Sequence, residues 1–147
     1  MLAGCAGPTQ FPAILVNESN STATVFVSMQ RREAQTGHYA KCRLERDREP
    51  LKIGPALQAY KHEFRVWPAV ALDTFDPANC NARFRIPAGQ GVRVFWAPVV
   101  VEEASFPVVD RLEISNEQGV SIRLSDRAAT DAFKWSRKNR DRRLIIE

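Results

Sequence analysis

Apolar and polar residues alternate along most of this chain with the two-residue period of a half-buried strand, and a helical period appears only near the end. Residues 11–17, Phe-Pro-Ala-Ile-Leu-Val-Asn, are a continuous apolar run with Pro12 near its start, where a strand tolerates proline. A turn cluster follows at 18–21, and residues 22–29 are β-branched and aromatic, so both runs read as strands that could form a hairpin. Residues 30–39 are polar and read as a loop. Residues 40–47 alternate, with Cys42 and Leu44 opposite Lys41, Arg43 and Glu45. Residues 48–58 hold Pro50, Gly54 and Pro55 and read as a connection. The clearest alternation is at 58–67, where Tyr60, His62, Phe64 and Val66 oppose Lys61, Glu63, Arg65 and Trp67.

Residues 73–81 are rich in Asp, Asn and Pro and predict a loop that carries Cys80. Phe84 and Ile86 then oppose Arg83 and Arg85, a two-glycine turn spans 87–91, and Val92, Val94 and Trp96 share one face. The spacing predicts a hairpin over 82–97. Residues 99–101 extend a strand beyond Pro98, and 102–107 read as a loop. Val108, Leu112 and Ile114, a turn at 116–119, and Val120, Ile122 and Leu124 predict a second hairpin. Ser125 and Asp126 then suit a helix start, and Ala128, Ala129, Ala132, Phe133 and Trp135 recur at helical spacing, so the pattern predicts a helix over 126–137. Residues 144–146 are a short terminal strand. Short strands separated by turns, each with one apolar face, predict a mainly β chain: a two-sheet antiparallel β-sandwich with one short C-terminal helix.

A length of 147 residues suits one domain with a sizeable core, and 44% hydrophobic with 26% charged residues is an ordinary globular mixture. No apolar run approaches the ~20 residues of a membrane-spanning helix. The net charge of +4 is concentrated late: Arg137, Lys138, Arg140, Arg142 and Arg143 fall within seven positions. That run suits either a solvated turn after the helix or a contact surface for an anionic partner such as phospholipid head groups, lipopolysaccharide or an acidic protein. It lacks the interleaved aromatics of a nucleic-acid stacking platform, so nucleic acid is not an expected partner.

The tetrapeptide Leu2-Ala3-Gly4-Cys5 resembles a bacterial lipobox, and the small and polar residues Ala6-Gly7-Pro8-Thr9-Gln10 after it suit a tether. The resemblance implies cleavage before Cys5, a diacylglyceryl group on its sulfur and an added N-acyl chain. Several chains anchor stably where one does not. Ala6 rather than an aspartate follows the cysteine, which in enteric-type bacteria favours the outer membrane. The expected organisation is a lipidation site and tether at 1–10 and a single sandwich domain at 11–147. Three cysteines are an odd number, and lipidation of Cys5 leaves Cys42 and Cys80 to pair in an oxidising compartment.

Candidate chemistry is sparse. His38 is in a polar loop and His62 lies on the apolar phase of a strand. No Cys-x-x-Cys or His-x-x-x-His occurs, so no metal or cofactor is expected. Adjacent Glu102 and Glu103 point to opposite sides of an extended chain and cannot act as a paired acid and base. Gly89-Gln90-Gly91 reads as a turn rather than a phosphate cradle. Asn17-Glu18-Ser19 and Asn20-Ser21-Thr22 are formal glycosylation sequons, but their residue types are also those of turns. Trp67 shares the polar phase of its strand, which suits a binding hot spot or packing beneath the helix; Trp96 and Trp135 suit the core.

The chain therefore looks like a small outer-membrane lipoprotein, of the kind that serves secretion machines as an accessory subunit. That resemblance implies a non-catalytic periplasmic protein held by Cys5 and presenting a surface to an envelope protein. Two other readings are a module that binds carbohydrate or peptidoglycan fragments through aromatics such as Trp67 or Tyr39, and a hydrolase whose site assembles only in the fold, around His38 or His62.

Overall fold

A computed structural model describes residues 11–29, 42, 44, 51–55, 67–97, 109–119, 121–138 and 140–147. The expected strand at 58–67 apart from Trp67, which is not in a strand, the expected strand at 99–101, and His38, His62, Tyr39 and Cys5 lie outside the described residues. The strands are β1 (Phe11–Asn17), β2 (Ala23–Met29), β3 (Lys52–Pro55), β4 (Leu72–Asp76), β5 (Asn81–Ile86), β6 (Gln90–Ala97), β7 (Val109–Asn116), β8 (Ser121–Ser125), β9 (Lys134–Ser136) and β10 (Asp141–Ile146), with the helix α1 (Asp126–Asp131) before β9.

They form two five-stranded sheets, a first ordered β3-β6-β1-β10-β9 and a second ordered β4-β5-β2-β7-β8. Period-two alternation gives each sheet an apolar inner face. Ala13, Leu15, Val92, Val94 and Ile146 of the first meet Val25, Val27, Phe84, Leu112 and Ile114 of the second in one buried cluster. Phe133, fully buried, closes this core edge-to-face against Phe95. The architecture is the expected β-sandwich. Its pairs are antiparallel except β1 with β10, which run parallel from Ala13↔Arg142 to Asn17↔Ile146.

Two expected hairpins are instead crossovers. β1 and β2 belong to different sheets, and so do β5 and β6. β1 pairs with β6 while β2 pairs with β5, so the two connections arch side by side from one sheet to the other. Asn17, at the end of β1, fixes both arches. Its Nδ2 donates to the Ser21 and Ile86 carbonyls, both at 2.8 Å, and its Oδ1 accepts from the Ser19 amide and hydroxyl at 3.1 and 2.6 Å. Its own carbonyl accepts from the Gly89 amide at 2.8 Å, where φ is +80° and glycine is at no disadvantage. Asn17 is fully buried, so its sequon reflects this corner and not a glycan site. Between β7 and β8 the expected hairpin does form, turning through Gly119 at φ +84°.

The predicted helix is shorter than its periodicity suggests. Ser125 has extended N-cap geometry without a side-chain capping bond, and α1 ends at Asp131. The chain then sends Phe133 into the core and turns Lys134–Ser136 onto β10 as strand β9. Trp135 packs edge-to-face on Phe11 instead of continuing a helical face. β4 occupies part of the expected 73–81 loop: it is an edge strand with little burial, so its sequence carries no alternation. The expected alternation at 40–47 falls mostly outside the described residues, but Cys42 and Leu44 are both buried, Leu44 in a helical conformation.

Candidate functional site

The two outer faces of the sandwich differ sharply. β1 is buried along its whole length, so the first sheet is covered on both sides at its central strand. Ile14 and Val16 point away from the core and pack with Trp67, which is only 4% exposed. The indole lies directly on the backbone of Gly54, where a Cβ would collide with it. Trp67 is therefore a structural cover for the first sheet. It offers neither the exposed contact that its phase allowed nor packing beneath the helix.

On the second sheet, alternation places polar side chains outward on four neighbouring strands. Cross-strand register sorts them into rows. One row runs Arg83, Phe26, Glu113, Arg123 across β5, β2, β7 and β8, and the next runs Arg85, Thr24, Ser115, Ser121. The four arginines of this face, Arg83, Arg85, Arg111 and Arg123, are exposed. Phe26 lies between two of them: the Arg111 guanidinium is 5.0 Å and that of Arg83 5.6 Å from its ring centre. Each such contact is worth about 0.5–1 kcal/mol at an exposed site. More important, it holds a planar fork in place with N–H donors still available along its edge. Arg85 pairs with Asp73 at 3.2 Å, and Arg111 is 3.7 Å from Glu113. Thr24, Phe26, Arg83, Glu113, Ser115, Ser121 and Arg123 bound an open groove of about 200 Å³.

The late basic run does not make one patch. Arg137, Lys138 and Arg140 are exposed on the tight turn from β9 to β10, closed by the Arg140 amide on the Ser136 carbonyl at 2.8 Å. The turn follows a strand, so these cations do not complement the helix dipole, and the last turn of α1 has no basic residue. On β10, Arg142 and Arg143 are adjacent and so face opposite ways. Arg142 donates to the Phe133 carbonyl at 2.9 Å, and burial lowers its pKa. Arg143 grips Asp141 with two bonds, Nε to Oδ1 at 2.9 Å and Nη2 to Oδ2 at 3.1 Å. Asp141 is fully buried, and desolvation pushes its carboxyl above the usual carboxylate range although Arg143 pulls it down. Both β10 arginines thus serve the fold.

Cys42 and Cys80 are joined by a disulfide with a Cα–Cα distance of 5.1 Å. Cys80 is fully buried just before β5 and accepts the Met29 amide at 2.9 Å, so the bridge ties residue 42 to one end of the second sheet. Among the described residues no group of three or more His, Cys, Asp or Glu is placed to hold a metal ion, and no helix is long and apolar enough to cross a membrane.

The outer row of the second sheet was not anticipated as a site. Its signal was present as arginine at outward positions of three separate strands, 83 and 85, 111, and 123. Only the strand order brings them together around Phe26. Compared with family models, with curated proteins and with solved structures, the chain matches none.

Proposed function

We propose that this protein is a lipid-anchored, non-catalytic binding subunit of the bacterial cell envelope, held by Cys5 at the periplasmic side of the outer membrane and presenting its sandwich to an envelope partner. The observation that carries this reading is the use of the three cysteines. The Cys42–Cys80 bridge supports residence in an oxidising compartment and leaves the Leu2-Ala3-Gly4-Cys5 cysteine as the odd one. A sandwich whose polar rows face outward is a scaffold for binding, and the exposed cations of the second sheet and of the β9–β10 turn give it a positive field for anionic partners. The role of accessory subunit in a secretion machine is the form of this reading that the lipobox resemblance suggests.

The test is membrane fractionation in the native host with a chromosomal Cys5→Ala allele. Wild-type protein should sediment with outer membranes and incorporate a fatty-acid label, and the variant should do neither. Unchanged fractionation, or an intact mass that shows a free thiol at Cys5, refutes the anchor.

A further inference from the structure

We infer that the groove on the outer face of the second sheet binds a carboxylated saccharide. The inference rests on the binding role proposed above and is independent of the Cys5 anchor.

Three features of the groove carry it. First, its charge suits an anion that carries carboxylates on successive units. Arg83 and Arg123 line it from β5 and β8, and Glu113 between them is paired with Arg111 at 3.7 Å, which leaves two cations for the ligand. A carboxylate can take the fork of one arginine bidentately. Stacking on Phe26 holds the Arg83 guanidinium ready for that role, with less rotamer freedom left to lose on binding.

Second, the remaining lining suits a polyol. Thr24, Ser115 and Ser121 set three hydroxyls in one row on adjacent strands, each able to donate and accept. The Glu113 carboxylate is acceptor-only and pairs with ligand hydroxyls. A saccharide supplies hydroxyls of both senses at short intervals, whereas an acidic side chain supplies only acceptors.

Third, the size and polarity fit a sugar better than a protein. A volume of about 200 Å³ is small beside a drug-sized pocket of ~300–1,000 Å³, and suits a sugar residue or two. Protein interfaces are organised around a buried apolar centre. The apolar lining of this groove is small: Ile114 belongs to the core cluster, Ile122 packs against it, and the Phe26 ring carries the guanidinium groups of Arg83 and Arg111.

The experiment is an NMR titration of the full chain with trigalacturonate, with neutral galactotriose and hexaglutamate as comparators, at fixed ionic strength. Trigalacturonate should shift the amides of β2, β7 and β8 and bind at least about tenfold more tightly than galactotriose, the loss expected for one charge-assisted hydrogen bond. Both Arg83→Gln and Arg123→Gln are exposed substitutions that keep the fold, and each should weaken trigalacturonate about tenfold or more. Arg137→Gln, away on the β9–β10 turn, should not. Ser115→Ala should also weaken binding, which a purely electrostatic site would not show. Equal or tighter binding of hexaglutamate at these amides overturns the saccharide assignment and points to an acidic protein segment, leaving the binding-subunit reading intact. Shifts elsewhere, or none, overturn the site itself.

Discussion

Asn17 makes the sharpest prediction about this fold, because one side chain fixes two crossovers. Asn17→Ala removes two donors and one acceptor that serve four groups: the Ile86 and Ser21 carbonyls and the Ser19 amide and hydroxyl. A buried group left without a partner costs about 1–3 kcal/mol. The Ile86 and Ser19 groups are buried and the Ser21 carbonyl is partly so. The Ser19 hydroxyl also donates to the Ser21 carbonyl at 3.0 Å, so these two groups keep each other, and the loss falls on the Ile86 carbonyl and the Ser19 amide. The expected loss is about 2–4 kcal/mol, a large part of a total stability of ~5–15 kcal/mol. Asn17→Asp keeps the shape but aims a carboxylate oxygen at two carbonyl oxygens 2.8 Å from the replaced nitrogen. At neutral pH it should therefore be less stable than Asn17→Ala. Its folded-state carboxyl pKa must lie above the unfolded ~3.9, since protonation restores a donor. A group with a raised folded pKa contributes most below its unfolded pKa and loses that contribution as pH rises through the folded value. Asn17→Asp should thus recover stability relative to Asn17→Ala as pH falls. Urea unfolding of both variants at neutral and acidic pH, with unchanged m-values, measures this. A loss below about 1 kcal/mol in Asn17→Ala, or Asn17→Asp equal to it at every pH, would refute the corner as the device that fixes the arches.

Three further outcomes are expected. Gly54→Ala should destabilise by about 1–3 kcal/mol through collision with the Trp67 indole, and should become nearly neutral on a Trp67→Ala background; additive effects in the double-mutant cycle would contradict the contact. Replacing both Cys42 and Cys80 by serine should cost about 4 kcal/mol, because a sequence separation of 38 closes a long loop in the unfolded chain; equal urea midpoints for reduced and oxidised wild type would contradict this. Asp141 titrates above its ordinary 3.8 in the folded protein. Its contribution is therefore fullest below the unfolded value and declines as pH rises through the folded one, so the stability of wild type minus Asp141→Asn should fall with rising pH across that window. A folded-state carboxyl pKa for Asp141 at or below 3.8 by NMR would overturn this.

What the sequence determined by itself was local. Residue alternation named the inward side chains of β5, β7 and β8, composition alone marked β2 as a strand, and the parity of the cysteines paired Cys42 with Cys80 once Cys5 was set aside. Alternation needs only the neighbour two positions away, so it survives in a single chain. Tertiary structure decided what depends on distant partners. Turns at 18–22 and 87–89 look the same in sequence whether they close a hairpin or arch between sheets, and Asn17 settles the matter through Ile86, 69 positions away. Helical spacing through Trp135 gave way because β10 supplied a strand partner that helix propensity could not outweigh. Arg83, Arg111 and Arg123 became one surface for the same reason: strand order is a property of non-local hydrogen bonding, and no short-range pattern records it.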